Sequence, residues 1–153
     1  MRAFIFLVLL CSLSATASAG PKIITVIMKG ICLRVQLESK DSSCPSAASV
    51  VYNSISNGNI LFQVPLANDL ILAFVGRQSA QPEPEIFTLY LERVRISAGI
   101  EGGPPIKVSG TCRMTTSSDG NLVYRLICNA ESHERIQYFL DFLGSGEPVS
   151  RLK

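Results

Sequence analysis

The cysteines are the residues of this chain whose type and spacing suggest chemistry most directly, and that chemistry is disulfide formation. Five are present, and one of them, Cys11, lies in an apolar leader. The other four are Cys32, Cys44, Cys112 and Cys128. An even number of cysteines in a chain with an export signal indicates two disulfides. Of the pairings open to four cysteines we favour the sequence-local one, Cys32–Cys44 with Cys112–Cys128, in which each bond closes a short loop and stabilises the fold by roughly 2–3 kcal/mol.

Five basic residues form a second group, for which the chemistry would be the binding of anions. Lys107, Arg113 and Arg125 occupy outward positions of two alternating strands, and Arg93 and Arg95 share a face of the strand before them. If these strands are neighbours, all five residues lie on one sheet face. We hypothesise that this face binds an acidic surface, such as a phosphorylated or acidic glycan or an acidic protein. The alternative is an ordinary solvated face, on which Lys and Arg prevent edge pairing.

The only histidine, His133, stands between carboxylates in Glu131-Ser132-His133-Glu134. A lone histidine in such a polar segment is typical of a turn rather than of a metal or acid–base site. The chain also contains no H-E-x-x-H, C-x-x-C, G-x-S-x-G or glycine-rich phosphate motif. We therefore expect a protein that is not an enzyme and that uses no metal and no cofactor.

Residues 1–19 are predicted to be a secretory signal peptide. Arg2 is the positive start, Phe4 to Leu10 is the apolar segment and Ala17-Ser18-Ala19 is the cleavage site, which is the usual order of such signals. An uncleaved membrane anchor is the alternative, but the apolar run is too short to span a bilayer comfortably. We expect a periplasmic or extracellular protein with no stable membrane insertion after cleavage.

The rest of the chain is predicted to form a single β domain over residues 20–144, followed by a loose polar tail over residues 145–153. The leader contains one of the 14 basic residues and none of the 12 acidic ones, so the mature chain has a net charge near +1. A balance this close to neutral implies no strongly charged partner, and no nucleic acid in particular.

The element that positions the second cysteine pair is a hairpin over residues 107–130. Even-numbered residues are apolar or small on both arms, as in strands with one buried face. A two-residue turn at Asp119-Gly120 would put the two apolar faces on opposite sides of the sheet. A three-residue loop, Ser118-Asp119-Gly120 with Gly120 left-handed, keeps them together and leaves Cys112 and Cys128 on the same buried face, diagonal or directly opposite.

The other strands are read from the same alternation. Asn57-Gly58 predicts a hairpin with a two-residue turn, which would place Val51 and Ile55 on the face of Phe62. Leu70 to Val75 is predicted to be a central strand and 77–85, which contains two prolines, an exposed loop. Ile86 to Ile96 is predicted to be a strand with a bulge near Glu92-Arg93.

The segment from Arg135 to Leu143 fits either a strand or a helix capped by Ser132, and its aromatic residues favour the strand. In total we count eight or nine short strands with turns between them. This pattern predicts an all-β fold, either an antiparallel sandwich or an up-and-down barrel, held by two disulfides.

The order of several short motifs resembles that of small exported bacterial β-rich proteins of unknown function with two cysteine pairs. The resemblance covers most of the mature chain, although Asn59 stands where a basic residue often follows Asn-Gly. It implies an exported β domain and no particular activity. The motifs are Gly30-Ile31-Cys32-Leu33, Cys44, Val51-Tyr52, Asn57-Gly58 with Phe62, Phe74-Val75-Gly76, Gly110-Thr111-Cys112 and Cys128-Asn129-Ala130.

The function expected from these observations is that of an exported, non-catalytic binding or interaction module whose partner the sequence does not name. One alternative is a lipocalin-like carrier of a small apolar ligand lined by Phe62, Phe74, Phe87 and Tyr124, although small barrels usually have filled interiors. The other is an inhibitor of a secreted hydrolase, with the loop around Cys44-Pro45 as its contact.

Overall fold

The computed structural model describes residues 24–44, 48–54, 58–98 and 103–152, and nearly all of them are in β-strands. The described part contains no α-helix and one short 3-10 turn, Ala67–Asp69. The predicted signal peptide lies outside the described residues. The all-β fold class is confirmed, and of the two architectures considered the structure has the barrel.

Ten strands are present in the described part of the chain. They are β1 (Ile24–Leu37), β2 (Lys40–Ser42), β3 (Ala48–Ser54), β4 (Ile60–Pro65), β5 (Leu70–Glu83), β6 (Ile86–Ala98), β7 (Ile106–Thr116), β8 (Val123–Ser132), β9 (Gln137–Gly144) and β10 (Ser150–Leu152). Eight of them, all except β2 and β10, form an antiparallel barrel in which each strand pairs with the next and β9 returns to β1. The two short strands add to β1.

Strand β1 closes the barrel by pairing with a different neighbour along each half. Its first half, Ile24 to Gly30, pairs with β3, and its second half, Gly30 to Gln36, pairs with β9. Such an offset is the stagger that a tilted, closed sheet requires. Gly30 is paired on both sides, with Ala48 and with Gly144. A Cβ atom at this position would overlap the carbonyl oxygen of Leu143, so the closure point needs glycine.

The barrel interior is filled by side chains from alternate positions of the strands. An eight-stranded barrel is just wide enough for its own side chains to fill, and aromatic residues occupy much of the space here. The side chains that are completely buried include Val35, Val50, Phe62, Val64, Leu72, Phe74, Leu89, Val94, Leu126, Leu140 and Phe142.

Both predicted disulfides are present, Cys32–Cys44 and Cys112–Cys128. Cys112 and Cys128 are directly opposed across β7 and β8 and fully buried, which confirms one of the two registers considered. The predicted three-residue loop is wrong, because the last strand pair is Thr116–Val123. A register shift between Thr115 and Thr116 restores the cysteine register. Gly120 is left-handed as predicted, with a φ of 69°.

The register predicted for the hairpin of β3 and β4 is wrong by one residue. Tyr52 pairs with Phe62 and Ser54 with Ile60, so the inward side chains of β3 are even-numbered and Val50, not Val51, is buried. Aromatic packing accounts for this register, since the Tyr52 ring centroid lies 5.5 Å from that of Phe62 and 6.2 Å from that of Phe87. Asn57, on which the turn prediction rested, lies outside the described residues.

Strand β5 continues through the predicted loop over 77–85 and ends at Glu83. The pairing of β5 with β4 ends at Gly76. Pro82 therefore lies beyond this ladder, where its missing N–H group interrupts no hydrogen bond to β4. The predicted bulge in β6 is confirmed by a register shift between Leu91 and Arg93. The ambiguous segment after the cysteine hairpin is strand β9, with Tyr138, Leu140 and Phe142 buried.

The segment after Gly144, expected to be a loose tail, is ordered against the barrel. Strand β10 pairs with the start of β1, in the register Val26 with Arg151. Pro148 forms an isolated bridge with Leu122, and the Val149 amide donates to the carbonyl oxygen of Asn121 at 2.9 Å. The backbone groups of this polar segment therefore find partners that its composition does not reveal.

Removing the two disulfides should have unequal effects on the free energy of unfolding. The loops they close span 12 and 16 residues, for which chain entropy predicts nearly equal losses of about 3 kcal/mol. Cys112 and Cys128 are also fully buried, whereas Cys44 is only partly buried. The double variant Cys112→Ala/Cys128→Ala should therefore lose more stability than Cys32→Ala/Cys44→Ala, because it also leaves a cavity. Urea unfolding of both variants measures the difference, and equal losses would contradict the core role of Cys112–Cys128.

Candidate functional site

The five basic residues of the hypothesised anion-binding face occupy neighbouring strands but do not form one cluster. Arg93 and Lys107 are direct partners across β6 and β7, and Arg95 lies two residues further along β6. Arg113 is six residues along β7 from Lys107, a separation of roughly 20 Å at the usual rise of a strand. Arg125 on β8 lies near Arg113, at the same end of the barrel. The structure thus divides the set into three residues and two.

Acidic or polar partners surround part of this set. Arg125 donates to both carboxylate oxygens of Asp141, at 2.9 and 2.8 Å, and this interaction raises the pKa of Arg125 above its ordinary value. Arg93 donates to the side-chain oxygen of Asn59 at 3.3 Å. Arg125 therefore already holds a carboxylate in the forked geometry that an external anion would use. The binding of an acidic surface by these five residues stays a prediction.

His133 lies in the exposed turn between β8 and β9. Its neighbour Ser132 stabilises this turn, with its hydroxyl oxygen accepting from the amide of Ile136 at 3.2 Å. Across the described ranges, no three His, Cys, Asp or Glu side chains are grouped so as to hold a metal ion. The predicted inhibitory loop begins at Cys44, but its residues 45–47 lie outside the described part of the chain.

An apolar pocket of about 130 Å³ opens at the other end of the barrel, where β7 turns into β8. We call it the end pocket. Pockets at the mouths of β-barrels are frequent ligand sites. Its lining comes from β1, β3, β6, β7, β8 and the C-terminal segment, and consists of Val26, Met28, Tyr52, Phe87, Met114, Thr116, Gly120, Val123, Val149 and Arg151.

Strand register explains why these side chains converge. The pairs Val26–Tyr52, Phe87–Met114 and Thr116–Val123 are each directly opposed on neighbouring strands, so both members of a pair point to the same side of the sheet. Closure of the barrel then turns the three pairs toward one another. The walls are therefore held by backbone ladders rather than by a flexible loop.

The loop between β7 and β8 and the C-terminal segment complete the end pocket. Gly120 contributes from the loop and Val149 from the C-terminal segment, and the bond from the Val149 amide to Asn121 joins the two. Asp119 holds the loop together by accepting from the Ser117 hydroxyl, the Asn121 amide and the Asn121 side chain. These bonds, led by the one from Ser117, lower the pKa of Asp119 below its ordinary value.

The chemical character of the end pocket is apolar with a small polar component. Tyr52 and Thr116 supply hydroxyl groups, and Arg151 is the one charged residue among the lining side chains. Burial raises the pKa of the Tyr52 hydroxyl above its ordinary value. The lining contains no carboxylate, imidazole or thiol.

The four residues expected to line a ligand cavity in a carrier lie in three different places. Phe62 and Phe74 are buried in the packed core, and Tyr124 is 48% exposed on the outside. Of the four residues expected to line a ligand cavity, only Phe87 does so. The last strand gave no usable signal, because Val149-Ser150-Arg151-Leu152 does not alternate between apolar and polar residues.

No protein-family model matches the chain, and neither the curated proteins nor the solved structures include one with detectable similarity to it. The described residues include no helix with the length and apolar character needed to cross a membrane. Two disulfides are typical of proteins that fold in an oxidising, exported environment.

The carboxyl group of Asp119 should titrate below the ordinary range for aspartate. A pKa that is lower in the folded state means that its hydrogen bonds stabilise the fold above the unfolded-state pKa, and that this contribution disappears as the pH falls through the folded-state pKa. An NMR titration of the carboxyl carbon measures the midpoint. Ser117→Ala removes the leading donor and should raise it, whereas Ser118→Ala, at the exposed neighbouring residue, should not. Equal midpoints in all three proteins would refute this account of the loop.

Proposed function

We propose that this protein is an exported, non-catalytic binding protein that holds one small, largely apolar molecule in the end pocket. The observation that carries the proposal is a preformed apolar pocket at one end of a barrel whose core side chains are buried. We propose binding in the end pocket and not on the basic sheet face. The expected binding module then has a defined site.

The size of the end pocket limits the ligand. An engineered protein cavity of about 150 Å³ lined by apolar side chains stays dry and binds benzene. The end pocket, at about 130 Å³, is close to that volume. A single aromatic ring or a short branched hydrocarbon therefore fits, whereas a sterol or a long acyl chain would extend far outside it.

The end pocket also has the rigidity that selective binding needs. Its wall pairs belong to strand ladders, and the buried Cys112–Cys128 bond ties β7 to β8. A site that is already in its bound shape loses little conformational entropy when a ligand enters. The lining contains no carboxylate, imidazole or thiol that could activate its hydroxyl groups, which supports binding without catalysis.

Export is supported by two features of the chain. The leader over residues 1–19 has the order of a signal peptide, and the two disulfides suit an oxidising compartment. We therefore place the carrier in the periplasm or outside the cell.

The methionines of this chain provide a direct test. The sequence contains three, and besides Met1 these are Met28 and Met114, both of which line the end pocket. In mature protein labelled with ¹³C at the methionine methyl groups, toluene should shift both signals in a saturable manner. Unchanged methyl signals up to the solubility limit of toluene would contradict the proposal.

A filling variant with a matched control separates the end pocket from nonspecific surface binding. Val149→Trp places an indole in the end pocket and should weaken toluene binding at least about tenfold, because overpacking a filled site costs about 1–3 kcal/mol. The control is Leu33→Trp, on the outer face where Leu33 is 51% exposed; it should bind toluene normally. The natural chain has no tryptophan, so blue-shifted fluorescence from Val149→Trp alone would report that its indole is buried.

A further inference from the structure

We infer that the ligand of the end pocket is a small monocarboxylate with an apolar body, and that Arg151 binds its carboxylate. The inference rests on the proposed function of the end pocket and specifies the class of molecule. The lining contains one guanidinium group among aliphatic, thioether and aromatic side chains.

Strand register places Arg151 at the rim. Arg151 on β10 is the direct partner of Val26 on β1, so the two side chains lie on the same side of the sheet. Val26 lines the end pocket, and Arg151 lines it from the outermost strand while remaining exposed to solvent. The guanidinium therefore stands where the polar end of a bound molecule would emerge.

Arg151 is available for an external anion. Among the described residues it forms no ion pair within 4 Å. Glu147, four residues earlier, pairs instead with Lys29 at 3.3 Å, so the acidic residue closest in sequence has a different partner. The contrast with Arg125, which holds Asp141, is direct.

The chemistry favours a carboxylate over a larger or more highly charged group. A guanidinium binds a carboxylate through two parallel hydrogen bonds, and one arginine matches one negative charge. A phosphate would bring more charge to a rim where the lining offers a single cation. A ring or short chain in the cavity with a carboxylate at Arg151 satisfies both parts of the site.

Three related probes distinguish the charge inference from the end pocket itself. Toluene fills the cavity without a polar group, phenylacetate adds a carboxylate to it, and phenylacetamide replaces that carboxylate with a neutral group of nearly the same shape. Affinities are measured from the methyl signals of Met28 and Met114 at low ionic strength. We expect phenylacetate to bind about five to ten times more tightly than phenylacetamide, as for a partly exposed charge-assisted pair, and this ratio should decrease with added salt.

The variants assign the preference to one residue. Arg151→Gln should bring the phenylacetate to phenylacetamide ratio close to one, because its neutral amide offers no charge-assisted pair to the carboxylate. Arg151→Lys should retain part of the preference, because it keeps the charge without the fork. Arg135→Gln, in the turn at the opposite end of the barrel, is the matched control and should retain all of it.

Each outcome decides between the two proposals. Toluene binding with equal affinities for phenylacetate and phenylacetamide in the natural protein would overturn the charge inference and leave the end pocket as a binding site. A preference that persists in Arg151→Gln would overturn the assignment to Arg151. Failure of all three probes to shift the methionine signals would overturn the proposed function, and the charge inference with it.

Discussion

The closure of the sheet at Gly30 is the constraint on which the rest of this structure depends. At this residue β1 is paired with β3 on one side and with β9 on the other, and a side chain would collide with the backbone of Leu143. Because the sheet closes here, the inward side chains of eight strands meet in one interior. Buried side chains occupy this interior, and the end pocket lies at one end of it.

Agreement between two local patterns did not by itself make a predicted register correct. In the cysteine hairpin, the alternation of apolar residues and the positions of Cys112 and Cys128 required the same parity, and the register was right although the loop was not. In the hairpin of β3 and β4 the turn signal and the alternation also agreed, yet the register was wrong by one residue. The aromatic packing of Tyr52 with Phe62 and Phe87 decides that register, and it depends on β6, which is distant in sequence.

The end pocket was beyond prediction for a related reason. A cavity inside a barrel is formed by side chains that closure brings together. No local pattern distinguishes Phe74, which is buried in the core, from Phe87, which lines the end pocket. The basic residues were assigned to neighbouring strands correctly, but their spacing along the strands and the pairing of Arg125 with Asp141 are tertiary facts. Arg151 was missed because three strand residues in a polar segment give almost no periodic signal.

The position of β1 also determines when this protein can fold. Its partners β9 and β10 come last among the described strands. Pairs such as Gln36 and Phe139 must therefore meet although most of the chain lies between them. Contacts between such distant residues make folding slow, because a long loop must close before they form. Until β9 reaches β1 the folding chain therefore holds an open sheet with unpaired edges. The two disulfides, which join residues 12 and 16 positions apart, close short loops and do not depend on that closure.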